Sequence, residues 1–226
     1  MKRFGIAALV LLPLAAFAPE PAQAITWGAE AFGAFSTHTM SDWKDLTHFL
    51  NQVGFTIDDP TSSWGGGLGL RVWPSSSWMI AATWEPIILE RKEQVTGVVL
   101  DFDAQSFQLT SGYFFPAPEG AKFGVGAGVA YYSLHGHSPD STFFSSVDLT
   151  GNTVGFHFAG MGEWTVSRSF AITGTVGYRI AKITDTKFDG KSAAEEFGAP
   201  IPNTDTDYSG LMVRAGLAYY LPQSHR

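Results

Sequence analysis

Large apolar and small side chains alternate along most of the chain after residue 24. The last copy of this pattern shows both faces: Leu211, Val213, Leu217, Tyr219 and Leu221 on one, and Met212, Arg214, Gly216, Ala218 and Tyr220 on the other. A repeat of two residues is the period of a β-strand, whose successive side chains point to opposite faces. The pattern therefore predicts strands with one large apolar face and one face of small residues with few charges.

Eight segments follow this pattern, and each has about the length that a tilted strand needs to cross a bilayer. They are Ile25–Ser36, Ser63–Trp73, Trp78–Glu90, Gln105–Phe115, Phe123–Ser133, Thr153–Val166, Phe170–Ile183 and Ser209–Leu221. Short connections rich in Pro, Ser and Gly alternate with long polar ones, as tight turns alternate with external loops in outer membrane barrels. The sequence therefore predicts an all-β protein: an eight-stranded antiparallel, up-and-down transmembrane β-barrel over residues 25–221.

The first long connection is predicted to contain a short helix. Ser41 is a suitable N-cap, and Gly54 is a suitable C-terminal stop. Apolar residues recur between them at helical spacing: Trp43, Leu46, Phe49, Leu50 and Val53. Because a helix of about a dozen residues is marginal in isolation, its apolar stripe must pack on the barrel rim or other loops, or bind lipid or a partner.

Residues 1–24 have the pattern of a secretory signal peptide. Lys2 and Arg3 precede the apolar stretch Phe4–Ala18, and Ala22-Gln23-Ala24 is a small-x-small cleavage site. A transmembrane anchor is the alternative, but the apolar run is short for a membrane span. We therefore expect export, a barrel over residues 25–221 and a short C-terminal tail over residues 222–226.

Charge and cysteine content exclude several classes of function. The formal net charge is −7 at pH 7 and no basic cluster is present, which argues against nucleic-acid binding. The chain has no cysteine, so a disulfide framework, a thiolate metal site and a lipid-modified N-terminal cysteine are excluded. No cofactor is predicted.

The alternation alone does not say which face points inward, since a secreted lipocalin-like barrel would place its aromatic residues inside. The small face suits the narrow lumen of an eight-stranded barrel, which side chains fill. By parity this face also carries three carboxylates and three guanidinium groups: Glu30, Glu85, Glu163, Arg71, Arg179 and Arg214. Because an unpaired buried charge is very costly, the sequence predicts a paired Glu/Arg network that plugs the lumen.

Aromatic residues stand where the predicted strands meet the short turns: Trp73, Trp78, Phe115, Phe123, Trp164 and Phe170. This position is typical of the aromatic girdle at a membrane interface, and ordinary core aromatics at strand ends are the alternative. Pro86 removes a ladder hydrogen bond, which predicts a bulge or a position near the outer rim.

The C-terminal segment carries a polar-x-Gly-x-x-apolar-x-apolar pattern formed by Arg214, Gly216, Tyr219 and Leu221. This pattern resembles the signal read by the outer-membrane assembly machinery. With its strand count and loop asymmetry, the chain resembles the small eight-stranded outer membrane proteins of the OmpA, OmpX and OmpW type. The resemblance implies a monomer in the bacterial outer membrane, with membrane lipid, lipopolysaccharide and the β-barrel assembly machinery as partners.

Some barrels of this kind are lipid A enzymes, so catalytic residues need to be considered. His137-Ser138 has its nearest acid at Asp140, and His157 lies six residues before Glu163. Neither spacing provides a nucleophile, a base and a third orienting group. No catalytic residue and no metal site are predicted, and His157 is interpreted as a lumen histidine bonded to Arg or Glu neighbours.

The function predicted from the sequence is therefore that of a structural or surface-interaction barrel, whose external loops carry any recognition. A narrow channel for small or hydrophobic solutes, as the OmpW type implies, is the first alternative. A lipid A-modifying enzyme is the second.

Overall fold

The computed structural model describes residues 25–52, 54, 56, 58–92, 99–117, 120–138, 146–184, 186–192, 195 and 204–222. The predicted signal peptide and residues 223–226 of the predicted tail lie outside this range. The elements in chain order are β1 (Thr26–Thr37), α1 (Ser41–Gln52), β2 (Ser62–Trp73), β3 (Trp78–Ile88), β4 (Glu90–Lys92), β5 (Val99–Asp101), β6 (Ala104–Pro116), β7 (Ala121–Ser138), β8 (Val147–Thr165), β9 (Phe170–Ile180), β10 (Lys182–Ile183), β11 (Lys187–Phe188), β12 (Thr206–Asp207) and β13 (Gly210–Tyr220).

The eight long strands form a closed antiparallel barrel, which confirms the predicted fold. Their order around the wall is β8-β7-β6-β3-β2-β1-β13-β9, and β9 pairs with β8 to close the ring. The short strands form additions at the loop end: β4 pairs with β5, β10 with β12, and β11 with β8. A slip of one residue would exchange the two faces of a strand, so the strict alternation of apolar and small residues also fixes the register.

The outer wall of the barrel is apolar. Large side chains that are half-exposed or more line it on every long strand, among them Trp27, Trp64, Leu68, Leu70, Ile88, Phe107, Val125, Phe158, Val176 and Leu217. Soluble monomers rarely expose a continuous apolar surface of this size. The large face therefore points outward, and the lipocalin-like arrangement with aromatic residues inside is excluded.

Several strand ends differ from the prediction. β7 and β8 form a longer hairpin than the predicted strands Phe123–Ser133 and Thr153–Val166, because the alternation continues beyond them. Leu134, Gly136 and Leu149 are buried, whereas His135, His137 and Asp148 are exposed. The predicted strand Phe170–Ile183 ends instead at Ile180, since the next residues leave the wall to pair with β12.

The predicted helix in the first loop is present as α1, and it covers the loop end of the barrel. The Trp43 side chain is 2% exposed and its Nε1 donates to Thr206 Oγ1 at 3.1 Å. The Asp42 carboxylate accepts a hydrogen bond from the backbone N–H of Asp205. Phe49, on the other side of the helix, is 59% exposed. No helix in the described residues is long and apolar enough to cross a membrane.

Candidate functional site in the barrel lumen

The lumen contains two groups of ionic side chains, and all six predicted charged residues belong to one or the other. We call the group near the short turns the lower cluster; it consists of Glu30, Arg71, Glu163, Thr173 and Tyr220. The upper cluster lies nearer the loops and consists of Glu85, Arg179, Arg214, Gln108 and His157. The predicted Glu/Arg network is therefore present as two separate clusters.

In the lower cluster, one guanidinium group lies between two carboxylates. Arg71 Nη1 donates to Glu163 Oε2 at 2.8 Å, and Arg71 Nε lies 3.0 Å from Glu30 Oε2 without pointing its N–H at it. The Tyr220 hydroxyl donates to Glu163 Oε2 at 2.5 Å, and the Thr173 hydroxyl donates to Glu30 Oε1 at 2.6 Å. Since charged partners and hydroxyl donors surround both carboxylates, the cluster satisfies the main requirement for buried charges.

Trp73 belongs to the wall of the lower cluster, and its assignment to the aromatic girdle was wrong. Its side chain is 5% exposed, its ring centroid lies 4.9 Å from that of Phe114, and its Nε1 donates to the Tyr220 hydroxyl at 3.2 Å. The reason is strand parity: Trp73 is two residues after Arg71, so both side chains share the lumen face.

The other five predicted girdle residues lie on the outer wall: Trp78, Phe115, Phe123, Trp164 and Phe170. Their contact with a membrane interface stays a prediction.

In the upper cluster, one carboxylate lies close to two guanidinium groups. Glu85 Oε2 accepts a hydrogen bond from Arg214 Nη2, and Glu85 Oε1 lies 3.9 Å from Arg179 Nη1. Gln108 bridges the first pair, because its Nε2 donates to Glu85 Oε2 at 3.2 Å and its Oε1 accepts from Arg214 Nη2 at 2.8 Å. Arg179 is fully buried, and its Nε donates to the backbone carbonyl of Tyr208 at 2.9 Å.

His157 lies on the lumen face as parity predicts, but its hydrogen-bond partner differs from the expected Arg or Glu. Its Nε2 lies 2.8 Å from Thr110 Oγ1, although β6 and β8 are separated by β7 in the wall. The glycine at position 128 explains this reach, since a Cβ there would lie 2.6 Å from His157 Cε1. The imidazole ring of His157 therefore passes over β7 at Gly128, which has no side chain.

Above the upper cluster, a hydrophobic core of buried side chains lies at the loop end of the lumen. Its large members are Met40, Trp43, Ile87, Leu89, Phe102, Tyr132, Leu134, Leu149, Ile183, Phe188 and Tyr208. The rings of Trp43 and Phe102 meet edge to face with centroids 4.5 Å apart, and the Tyr208 hydroxyl donates to the Phe102 carbonyl at 2.7 Å. The helix of the first loop is thus part of this core.

Outside this core, an exposed ion pair lies at the loop end of the barrel. Lys182 Nζ lies 2.7 Å from Asp205 Oδ2, and the hydrogen bond to Asp205 raises the pKa of Lys182 above its ordinary value. This pair joins the segment after β9 to the segment that returns to β13.

His137, which was considered above with Ser138 for catalysis, lies on the outside of the extended β7–β8 hairpin. His137 Nδ1 lies 2.7 Å from Asp148 Oδ1, and both side chains are exposed. The side chain of Ser138 and the residue Asp140 both lie outside the part of the chain that the structure describes. Within the described part of the chain, no three histidine or acidic side chains come together to hold a metal ion.

Sequence reasoning missed four lumen residues that complete these clusters. Gln108, Thr173 and Tyr220 lie on the small face of their strands by parity, but neutral side chains carry no signal of an ionic contact. Lys122 is paired with Glu163 in the β7–β8 ladder, and its Nζ lies 4.3 Å from the centre of the Trp73 ring. The alternation through Gly124 would have placed Lys122 on the lumen face.

No family model and no curated protein matches this chain. Solved structures do: a major outer membrane protein from Thermus thermophilus gives a TM-score of 0.60 at 12% identity, over 88% of this chain and 100% of that one. The chain has the fold of the small outer membrane β-barrels. OprG from Pseudomonas aeruginosa gives a TM-score of 0.55 at 13% identity, over 88% of this chain and 97% of that barrel. Neisserial surface protein A gives 0.53 at 12% identity, over 87% and 99%.

Proposed function

We propose that this protein is a non-enzymatic, integral outer membrane barrel with a closed lumen, which supports the membrane or contacts the cell's surroundings through its loops. The observation that carries the proposal is the filling of the lumen by the two ionic clusters and the hydrophobic core above them. A lumen with this content offers no wide aqueous route, so any recognition falls to the loop end.

The apolar outer wall supports the membrane location. Residues such as Leu68 and Phe158 are more than half exposed at the middle of their strands, and lipid would cover them. The lumen holds the charges instead, and a cationic side chain on the lipid face would cost about 2–4 kcal/mol at the bilayer midplane. The protein should therefore migrate at different apparent sizes on a gel before and after boiling. Solubility in a periplasmic extract without detergent would contradict this location.

Single-channel recording in planar bilayers tests the closed lumen. We expect no conductance steps beyond those seen when detergent without protein is added to the bilayer. Reproducible steps that scale with the amount of inserted protein would contradict it.

One observation favours a second candidate, a narrow path for small or hydrophobic solutes. The β2–β3 ladder pairs Gly65 with Ile87 and then Leu68 with Trp84, so the two residues between them on each strand are not paired. Pro86 lies in this gap, and a proline has no N–H to donate to β2. If the gap admits solutes, vesicles that contain the protein should take up a small apolar dye faster than empty vesicles.

The absence of enzymatic activity is also a proposal. His137 and Asp148 form a pair on the exposed hairpin, and a hydrolase would also need a nucleophile beside them. Lipid A mass spectra from cells with and without the protein should be identical, and a mass change that requires His137 would refute the proposal.

A further inference from the structure

The two ionic clusters differ in their balance of charge. In the lower half of the lumen, Arg71 and Lys122 face Glu30 and Glu163, so cations and anions are equal in number. In the upper half, the carboxylate of Glu85 faces two guanidinium groups. The charged side chains that surround both His157 and Tyr132 are these same three. The described part of the upper lumen therefore holds one positive charge in excess.

Four buried polar atoms of the upper lumen have no hydrogen-bond partner among the described residues. They are Arg179 Nη1, Arg214 Nε, His157 Nδ1 and the Tyr132 hydroxyl. The oxygen of Tyr132 lies within reach of the Arg179 guanidinium group, so its O–H is the part that has no acceptor. Arg179 and Tyr132 are fully buried, His157 is 3% exposed, and the side chain of Arg214 is 10% exposed. A guanidinium group has only donors, and if the Thr110 hydroxyl donates to His157 Nε2, then Nδ1 carries the proton. The four atoms then form a set of hydrogen-bond donors.

These donors border one short stretch of the lumen. Arg179 is paired with His157 in the β8–β9 ladder, and its Cζ lies 5.8 Å from the centre of the Tyr132 ring. Arg214 reaches the same carboxylate as Arg179, that of Glu85. Glycine makes room for Tyr132, since a Cβ at Gly155 would lie 2.8 Å from its Cε2.

We propose that the upper cluster binds one small monovalent inorganic anion of the chloride type between Arg179, Arg214, His157 and Tyr132. A single negative charge balances the excess positive charge, whose burial without a partner would be very costly. A spherical anion can accept a hydrogen bond from each of these four donors. The site admits a compact anion, because the hydrophobic core bounds the space above it and the lower cluster bounds the space below it.

Thermal unfolding of the purified barrel in detergent tests this site directly. The midpoint of the heat-induced gel shift is measured as sodium chloride replaces sodium gluconate at constant ionic strength. Since an anion that binds the folded state stabilises it by mass action, a chloride concentration 100 times Kd lowers the unfolded fraction about 100-fold at a given temperature. Equal midpoints in chloride and gluconate would overturn the proposal.

Two variants of similar shape separate the site from the rest of the protein. Arg214→Met removes one of the two cations and one of the free donors, so the charge excess and the chloride dependence should both disappear. Thr173→Val alters the lower cluster alone without changing its charge, and its chloride dependence should match that of the wild type. Chloride dependence that persists in Arg214→Met would refute the assignment.

Bromide diffraction gives a readout that needs no variant. Crystals of the wild-type barrel grown in bromide should show anomalous density within hydrogen-bond distance of Arg179 Nη1 and Arg214 Nε. Bromide found at the protein surface and not between these two groups would contradict the proposal.

Discussion

Replacement of Arg71 by methionine tests whether the lower cluster is a dry, paired network. The side chain of Arg71 is 3% exposed, and those of Glu30 and Glu163 are 10% and 4% exposed. Arg71→Met leaves the two carboxylates with Lys122 as the remaining cation nearby. Removal of one partner from a buried ion pair costs about 3–5 kcal/mol, because it leaves an uncompensated charge in the interior. We expect a loss of this size in the free energy of unfolding.

The matched control removes the excess charge that Arg71→Met leaves behind. In the double variant Arg71→Met, Glu30→Gln, the carboxylate of Glu163 keeps Lys122 as its cation, so the charges of the cluster are equal in number again. Replacement of a buried ion pair by neutral residues is often close to neutral for stability. The double variant should therefore recover most of the stability that Arg71→Met loses.

Urea unfolding in lipid vesicles, followed by tryptophan fluorescence and by the gel shift, measures these differences. A loss below about 1 kcal/mol in Arg71→Met is the value typical of exposed pairs, and it would show that water reaches the cluster. A double variant no more stable than Arg71→Met would refute the argument from uncompensated charge.

Three further substitutions test the packing described above, each by the same unfolding assay. Trp43→Ala should destabilise the barrel by about 3–5 kcal/mol and expose the first loop to protease, whereas Phe49→Ala on the solvent side of α1 should change stability by less than about 0.5 kcal/mol. Leu68→Arg, at the middle of β2 on the outer wall, should cost about 2–4 kcal/mol in lipid, and tolerance of this charge would contradict a lipid-facing wall. Gly128→Ala should push against both the backbone carbonyl of Leu109 and the His157 ring and cost about 1–3 kcal/mol, and an unchanged stability would show that the wall and the ring have room to move.

Residue parity carries most of the information that the sequence holds about this fold. It predicts the strands and the face of every lumen charge, and read consistently it also places Trp73 and Lys122 inside the barrel. The error at Trp73 came from its position beside a turn, which outweighed its parity with Arg71. The alternation of residues 134–138 also indicates the extension of β7 and β8, although the polar character of these residues favoured a loop.

Partner choice inside the lumen could not be predicted in the same way. Arg71 on β2 contacts Glu163 on β8, a strand that is not its neighbour in the wall. Such contacts depend on the tilt of the strands and on which side chains are small enough to be crossed, as Gly128 is by His157. The division into a balanced lower cluster and a positively charged upper cluster follows from this geometry and not from the linear order of the charges.

The central claim is that the lumen is closed, and cysteine accessibility tests it most directly because the chain has no native cysteine. Thr83 points into the lumen, is 8% exposed, and its hydroxyl has no hydrogen-bond partner among the described residues, so Thr83→Cys is a mild change. Thr39→Cys, at an exposed position before α1, is the control. In folded barrels in vesicles, a charged water-soluble thiol reagent should label Cys at position 39 rapidly and at position 83 only after unfolding. Rapid labelling of position 83 in the folded barrel would show a continuous water path and contradict the closed lumen.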